Sequence, residues 1–89
     1  MTCKAHLIVP GTRVFVTNEA GYQFGPLILT IEPGNLSGSL SPSNGEILEI
    51  ADIPKRYHGG EQVVRVHYKN QSMFCHFTHI RRQTTPYAK

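Results

Sequence analysis

The chain contains no tryptophan, two cysteines and four alanines, and it has no acidic residue after Glu61. Each shortage excludes something. Two cysteines, Cys3 and Cys75, cannot build the disulfide framework of a small secreted scaffold, so reduced thiols packed as small hydrophobes are expected. Scarce alanine beside abundant valine, isoleucine and threonine argues against helix and for short strands. The longest apolar runs are a handful of residues, broken by Pro10 or Thr30, where a membrane helix needs about 20. Ala5 to Val9 is interrupted by His6 and stopped by Pro10-Gly11, which is no signal peptide, and the expectation is a cytoplasmic chain without a membrane partner. The lack of tryptophan counts against a groove for proline-rich peptides, which usually leans on one.

What remains is 89 residues, 39% hydrophobic and 17% charged. That suffices for one core and excludes both a second domain and a disordered tail of high charge. Charge is unevenly placed along the chain. Residues 1–61 hold all six acids against four bases, whereas the stretch from Gln62 onward holds five bases, Arg65, Lys69, Arg81, Arg82 and Lys89, and no acid. A segment of this kind suits an acidic partner, either a protein or a nucleic acid.

Turn formers divide the chain into short apolar runs, the first a possible strand from Ala5 to Val9 that ends at Pro10-Gly11. Thr12 to Thr17 alternates, and so does Leu27 to Ile31 after a loop that holds Tyr22 and Phe24. Residues 34–44 form a Ser/Gly-rich loop. Glu46 to Ile50 follows, then a loop at 53–60 with Lys55, Arg56, Tyr57 and His58. With Asn70-Gln71 as a two-residue turn, the last hairpin sets Tyr68, Val66 and Val64 opposite Met73, Cys75 and Phe77 on one face. Val63, Arg65 and His67 then face Thr78, His76 and Phe74 on the other. The core is expected to contain Val14, Val16, Leu29, Ile47 or Leu48, Ile50, Val64, Val66, Cys75 and Phe77.

The order of these segments resembles the SH3-like barrels, a group that includes KOW and Tudor modules and a small protein of photosystem I. The resemblance rests on Pro10-Gly11-Thr12-Arg13-Val14-Phe15-Val16 and the long loop after it, then on Gly45 to Ile50, Val64 to Tyr68, and Phe74 to Ile80 closed by Arg81-Arg82. It implies an all-β, small SH3-like barrel of five or six short antiparallel strands over residues 1–82, with a flexible C-terminal tail at 83–89. Such folds serve unrelated functions, so function is argued from sites.

Cys3-x2-His6 and Cys75-x3-His79 offer four zinc-type ligands at near-usual spacing. The competing reading is a buried thiol with surface histidines, because residues three apart on a strand point to opposite faces. No nucleophile has both a base and an acid in reach, no carboxylate pair shares a face, and no phosphate-binding glycine motif occurs, so neither an enzyme nor a cofactor is expected. Tyr22, Phe24 and Tyr57 resemble the loop aromatics by which SH3-like barrels hold peptides. The competing reading has Phe24 plugging the barrel end. Lys55, Arg56, Arg65, Lys69, Arg81 and Arg82 form a basic face with His67, Phe74 and His76 on the outer side of the hairpin. The sequence therefore points to a binding module that docks an acidic protein through its loops and hairpin face. Nucleic-acid binding is the alternative, a small metal-dependent enzyme stands third, and a homo-oligomer is allowed.

Overall fold

The computed structural model describes residues 2–19, 21–33, 35–56 and 62–87. Six antiparallel strands make up the body, β1 (Arg13–Val16), β2 (Ile47–Ile50), β3 (Lys55–Arg56), β4 (Gln62–Tyr68), β5 (Gln71–His76) and β6 (Thr84–Pro86), with one short helix, α1 (Phe77–Arg82), between the last two. The all-β class and the strand count are as the sequence implied. Strand β4 pairs with β5 along one edge and with β2 and β3 along the other; β1 lies beyond β2, and β6 beyond β1. Among the described residues no ladder joins β5 to β6, and no helix is long and apolar enough to cross a membrane.

Alternation places the core. In β1, Val14 and Val16 are fully buried. Strand β1 is entered through a turn in which the Thr12 N–H donates to the Val9 carbonyl across Pro10-Gly11, and Gly11 takes a φ of +92°. Proline followed by a residue in the left-handed region is what a type II turn requires, and only glycine adopts it without strain. In β2 the choice between Ile47 and Leu48 is settled: Leu48 is buried and Ile47 is 44% exposed. Ile50, Val64, Val66, Cys75 and Leu29 are buried as expected, and Cys3, Ile8, Leu27, Tyr68, Met73 and Ile80 join them.

The hairpin register differs from the expected one by two residues. The turn is Lys69-Asn70, both in the left-handed region at φ +50° and +63°, the type I′ geometry that matches strand twist. Tyr68 therefore faces Gln71, Val66 faces Met73 and Val64 faces Cys75. Side chains alternate with period two, so this shift leaves each on its expected face. Lys69 is anchored in return. Its ammonium lies 3.4 Å from the Glu46 carboxylate and 5.2 Å from the centre of the Tyr68 ring.

Four further expectations are corrected. Ala5 to Val9 is not a strand: Ala5–Leu7 is a 3-10 turn that lowers Ile8 into the core. The closing strand stops at His76, and Phe77–Arg82 is helical. A helix lets Phe77 and Ile80, three apart, both meet the core, where a strand would have put them on opposite faces. Phe77 is half-buried rather than a core residue. Finally, residues 83–87 of the stretch expected as a tail are built in. Gln83 and Thr84 are fully buried, and Thr84 to Pro86 pair with Val16 to Val14. Tyr87 stacks on Phe15 at 4.9 Å. Proline at the margin of a sheet is tolerated because it has no N–H to give to a further ladder.

Two tests follow from this packing. Leu48→Ala should cost about 2–5 kcal/mol in chemical denaturation, while Ile47→Ala should cost no more than roughly 0.5–1 kcal/mol. Equal losses would contradict the facing of β2. The second concerns Glu46, whose carboxylate accepts a 2.7 Å bond from the Tyr68 hydroxyl and another from the Ser43 N–H. The Tyr68 bond first, then that from Ser43, hold its carboxyl below the ordinary glutamate range. The stabilisation it contributes is present above the unfolded-state value and is lost as pH falls through the folded one. Glu46→Gln should flatten the dependence of Tm on pH in that acid window. An unchanged slope would show the latch to be inert.

Candidate functional site

The basic character of the C-terminal third is diluted once the chain folds. Glu49 sits opposite Arg13 on β1 and opposite His67 on β4, so one row across the sheet runs basic, acidic, basic. Arg65 lies beside the Ala51 carbonyl, 3.5 Å away, and its charge is among those holding Asp52 below the usual carboxylate range, after the hydrogen bonds from Lys55 and the Ile53 N–H. Lys55 itself pairs with Asp52 at 2.9 Å. The open recess on this face is lined by Arg13, Ile47, Glu49, His67, Lys69 and Asn70, a mixed set of charges. Segregation along the sequence becomes interleaving in space because β2, which carries Glu49, is inserted between β1 and β4.

A different group converges at the end of the molecule. Tyr22 and Phe24 come from the loop between β1 and Leu27, and His76, Thr78, His79 and Arg82 from the end of β5 and from α1. The Tyr22 ring meets Phe24 edge-on at 5.5 Å and His79 at 5.8 Å. The Arg82 guanidinium covers Tyr22 at 5.6 Å from its centre, within cation–π range. His76 and His79 lie 5.7 Å apart. Helical spacing of three is what gathers His79 and Arg82 around Tyr22. Phe24 is 60% exposed, so it does not plug the interior; Tyr22 is the half-buried member.

The loop is fixed at both ends by one buried amide. Gln83 accepts a hydrogen bond from the Glu19 N–H through its side-chain oxygen, and its side-chain nitrogen donates to the Gly25 carbonyl at 2.8 Å. Asn18, at a positive φ, accepts from the Leu27 N–H and donates to the Pro42 carbonyl. The aromatic pair therefore stands on a braced loop.

Two clefts flank the histidines. One of about 340 Å³ is lined by Tyr22, Phe24, His76, Thr78 and His79. The other, of about 240 Å³, is lined by apolar groups, chiefly Ile28, Leu36, Val63 and Cys75, together with both histidines. Leu36 is 68% exposed at its margin. Burial, then the neighbouring His76, holds the His79 imidazole below its ordinary range.

The other expected site residues are dispersed. Lys55 and Arg56 form β3, Arg65 and His67 lie on β4, Phe74 is half-buried on β5 opposite Arg65, and Arg81 is exposed on α1. Tyr57 lies outside the described residues. Cys3 and Cys75 are both buried, His6 is exposed on the 3-10 turn, and among the described residues no three His, Cys, Asp or Glu side chains are arranged to hold a metal ion. Burial pushes the Cys75 thiol up to about 12, which leaves it protonated at neutral pH and without nucleophilic character. Thr78, Ile28, Leu36 and Val63 had no signal as site residues. His79 entered only as a zinc ligand, although the spacing His76-x2-His79-x2-Arg82 is visible once a helix is assumed.

No family model, curated protein or solved structure matches this chain.

The Tyr22 hydroxyl is shielded from solvent and has no hydrogen-bond partner among the described residues. An unmade hydrogen bond costs the desolvation of its group, so Tyr22→Phe should leave unfolding stability unchanged within about 0.5 kcal/mol or raise it. Tyr68→Phe, which removes a bond to Glu46, should lower Tm. A marked loss in Tyr22→Phe would show that its hydroxyl is bonded in solution.

Proposed function

We propose that the chain is a non-catalytic binding module of the SH3-like kind, docking an acidic protein partner in the cleft between the Tyr22–Phe24 loop and α1. The observation that carries this reading is the meeting of Tyr22 and Phe24, on a loop braced by Gln83, with His79 and Arg82 of α1. Exposed aromatic and arginine side chains on a rigid support are the composition of interface hot spots, and bracing reduces the ordering entropy that binding must overcome. An adjoining apolar cleft supplies area to bury, and the basic groups on α1 favour a negatively charged partner. The hairpin face, with Glu49 and Asp52 among its bases, is less suited to a continuous polyanion.

The test is capture from native extract on immobilised protein, with and without nuclease, repeated with three variants. Phe24→Ala and Arg82→Glu should each reduce retention of the captured protein about tenfold, corresponding to roughly 1.4 kcal/mol. Arg65→Glu should leave it nearly unchanged, and nuclease should have no effect. Loss on nuclease treatment with steep dependence on salt would replace this reading with nucleic-acid binding. Loss in Arg65→Glu alone would return the site to the hairpin face.

A further inference from the structure

We propose that the part of the partner seated in this cleft is a carboxylate attached to an apolar or aromatic group, with the carboxylate held at His79 and Arg82 and the apolar group in the flanking clefts. This rests on the docking reading above and specifies what is recognised. His79 is the one cationisable side chain of α1 that lines both clefts. With His76 of β5 it is shared by the linings of the aromatic recess and the apolar one, so a ligand seated in either lies beside an imidazole. Arg82, three residues further along the same helix, also meets Tyr22, its guanidinium over the ring.

The surroundings favour a carboxylate over a cation or a neutral amide. The groups against His79 are His76 from β5 and Tyr22 from the loop, with Phe24 and Thr78 lining the same cleft; Cys75, which also lines the apolar cleft, carries a thiol that stays neutral. Among the described residues, neither cleft has a carboxylate in its lining. Glu19 lines neither cleft and shares a separate shallow recess with Tyr22 and Arg82.

A consequence is uptake of a proton on binding. In the free protein, burial and the nearby His76 keep the His79 ring neutral to lower pH than an ordinary imidazole. An arriving carboxylate favours the imidazolium, so ligand and proton bind cooperatively, as linkage requires. Each unit by which the ligand raises the His79 pKa corresponds to at most about a tenfold gain in affinity on acidification.

The probe is 3-phenylpropionate, with 3-phenylpropionamide as its uncharged isostere. Both are titrated into the intact chain at pH 7.5 and 5.5 and followed by amide and imidazole chemical shifts. A carboxylate stays ionised over most of this interval. The expected result is movement of the Phe24, Thr78 and His79 signals, with the acid binding about three- to tenfold more tightly at pH 5.5 and the amide showing no such gain. His79→Gln should abolish the pH dependence while leaving a well-dispersed spectrum, and Arg82→Gln, an independent variant on the exposed side, should weaken the acid selectively. Equal, pH-independent binding of acid and amide would overturn the carboxylate assignment while leaving the docking reading intact. Failure of either probe to perturb the cleft also overturns the assignment, and the docking reading is then decided by the Phe24→Ala and Arg82→Glu capture experiment.

Discussion

The arrangement at the working end of this protein hangs on the buried amide of Gln83. Its side chain spans from the Glu19 N–H to the Gly25 carbonyl, its backbone carbonyl accepts from the Thr17 N–H where β1 ends, and its backbone N–H donates to the His79 carbonyl where α1 ends. A fully buried amide must be satisfied or it destabilises the fold. Here satisfaction is obtained from a loop more than fifty residues away in sequence, so loop, helix and final strand are placed by one constraint. Without it the Tyr22–Phe24 loop would be joined to α1 only through ring contacts at its surface.

That bracing explains why the aromatic cluster can remain exposed. A loop with few buried apolar side chains ordinarily samples many conformations, and an aromatic ring held on it would fold back onto the nearest apolar surface. Gln83 and Asn18 fix the loop backbone from beneath, and Arg82 covers Tyr22 from above. Phe24 is left turned toward solvent. The energetic cost of exposing it is set against hydrogen bonds buried elsewhere.

The strands were legible in the sequence wherever one face is buried and the other is not. Val14 and Val16, Val64 and Val66 announce themselves by alternation, whereas beside Ile50 the sequence left Ile47 and Leu48 both open. The exact pairing of the last hairpin did not, because a shift of two residues buries the same side chains; its choice falls to the turn, where Lys69-Asn70 prevailed with Lys69 tied to Glu46. Helix α1 spans too few residues for a period to show, and with it went the meaning of His79. The final strand was hidden by its composition: Gln83, Thr84 and Thr85 read as polar tail, yet they are held by a distant loop and by β1. Charge misled in another way, since a count along the chain cannot know that β2 will lie between two basic strands.

Pro86 has an effect that reaches beyond the single molecule. It stands in β6, at the margin of the sheet, where another chain could align and extend the hydrogen-bonded array. An approaching strand needs a donor at every second residue, and proline supplies none. Crowded copies of this protein therefore meet a terminus there rather than a template, and growth of a fibre from that side is blocked at its first step.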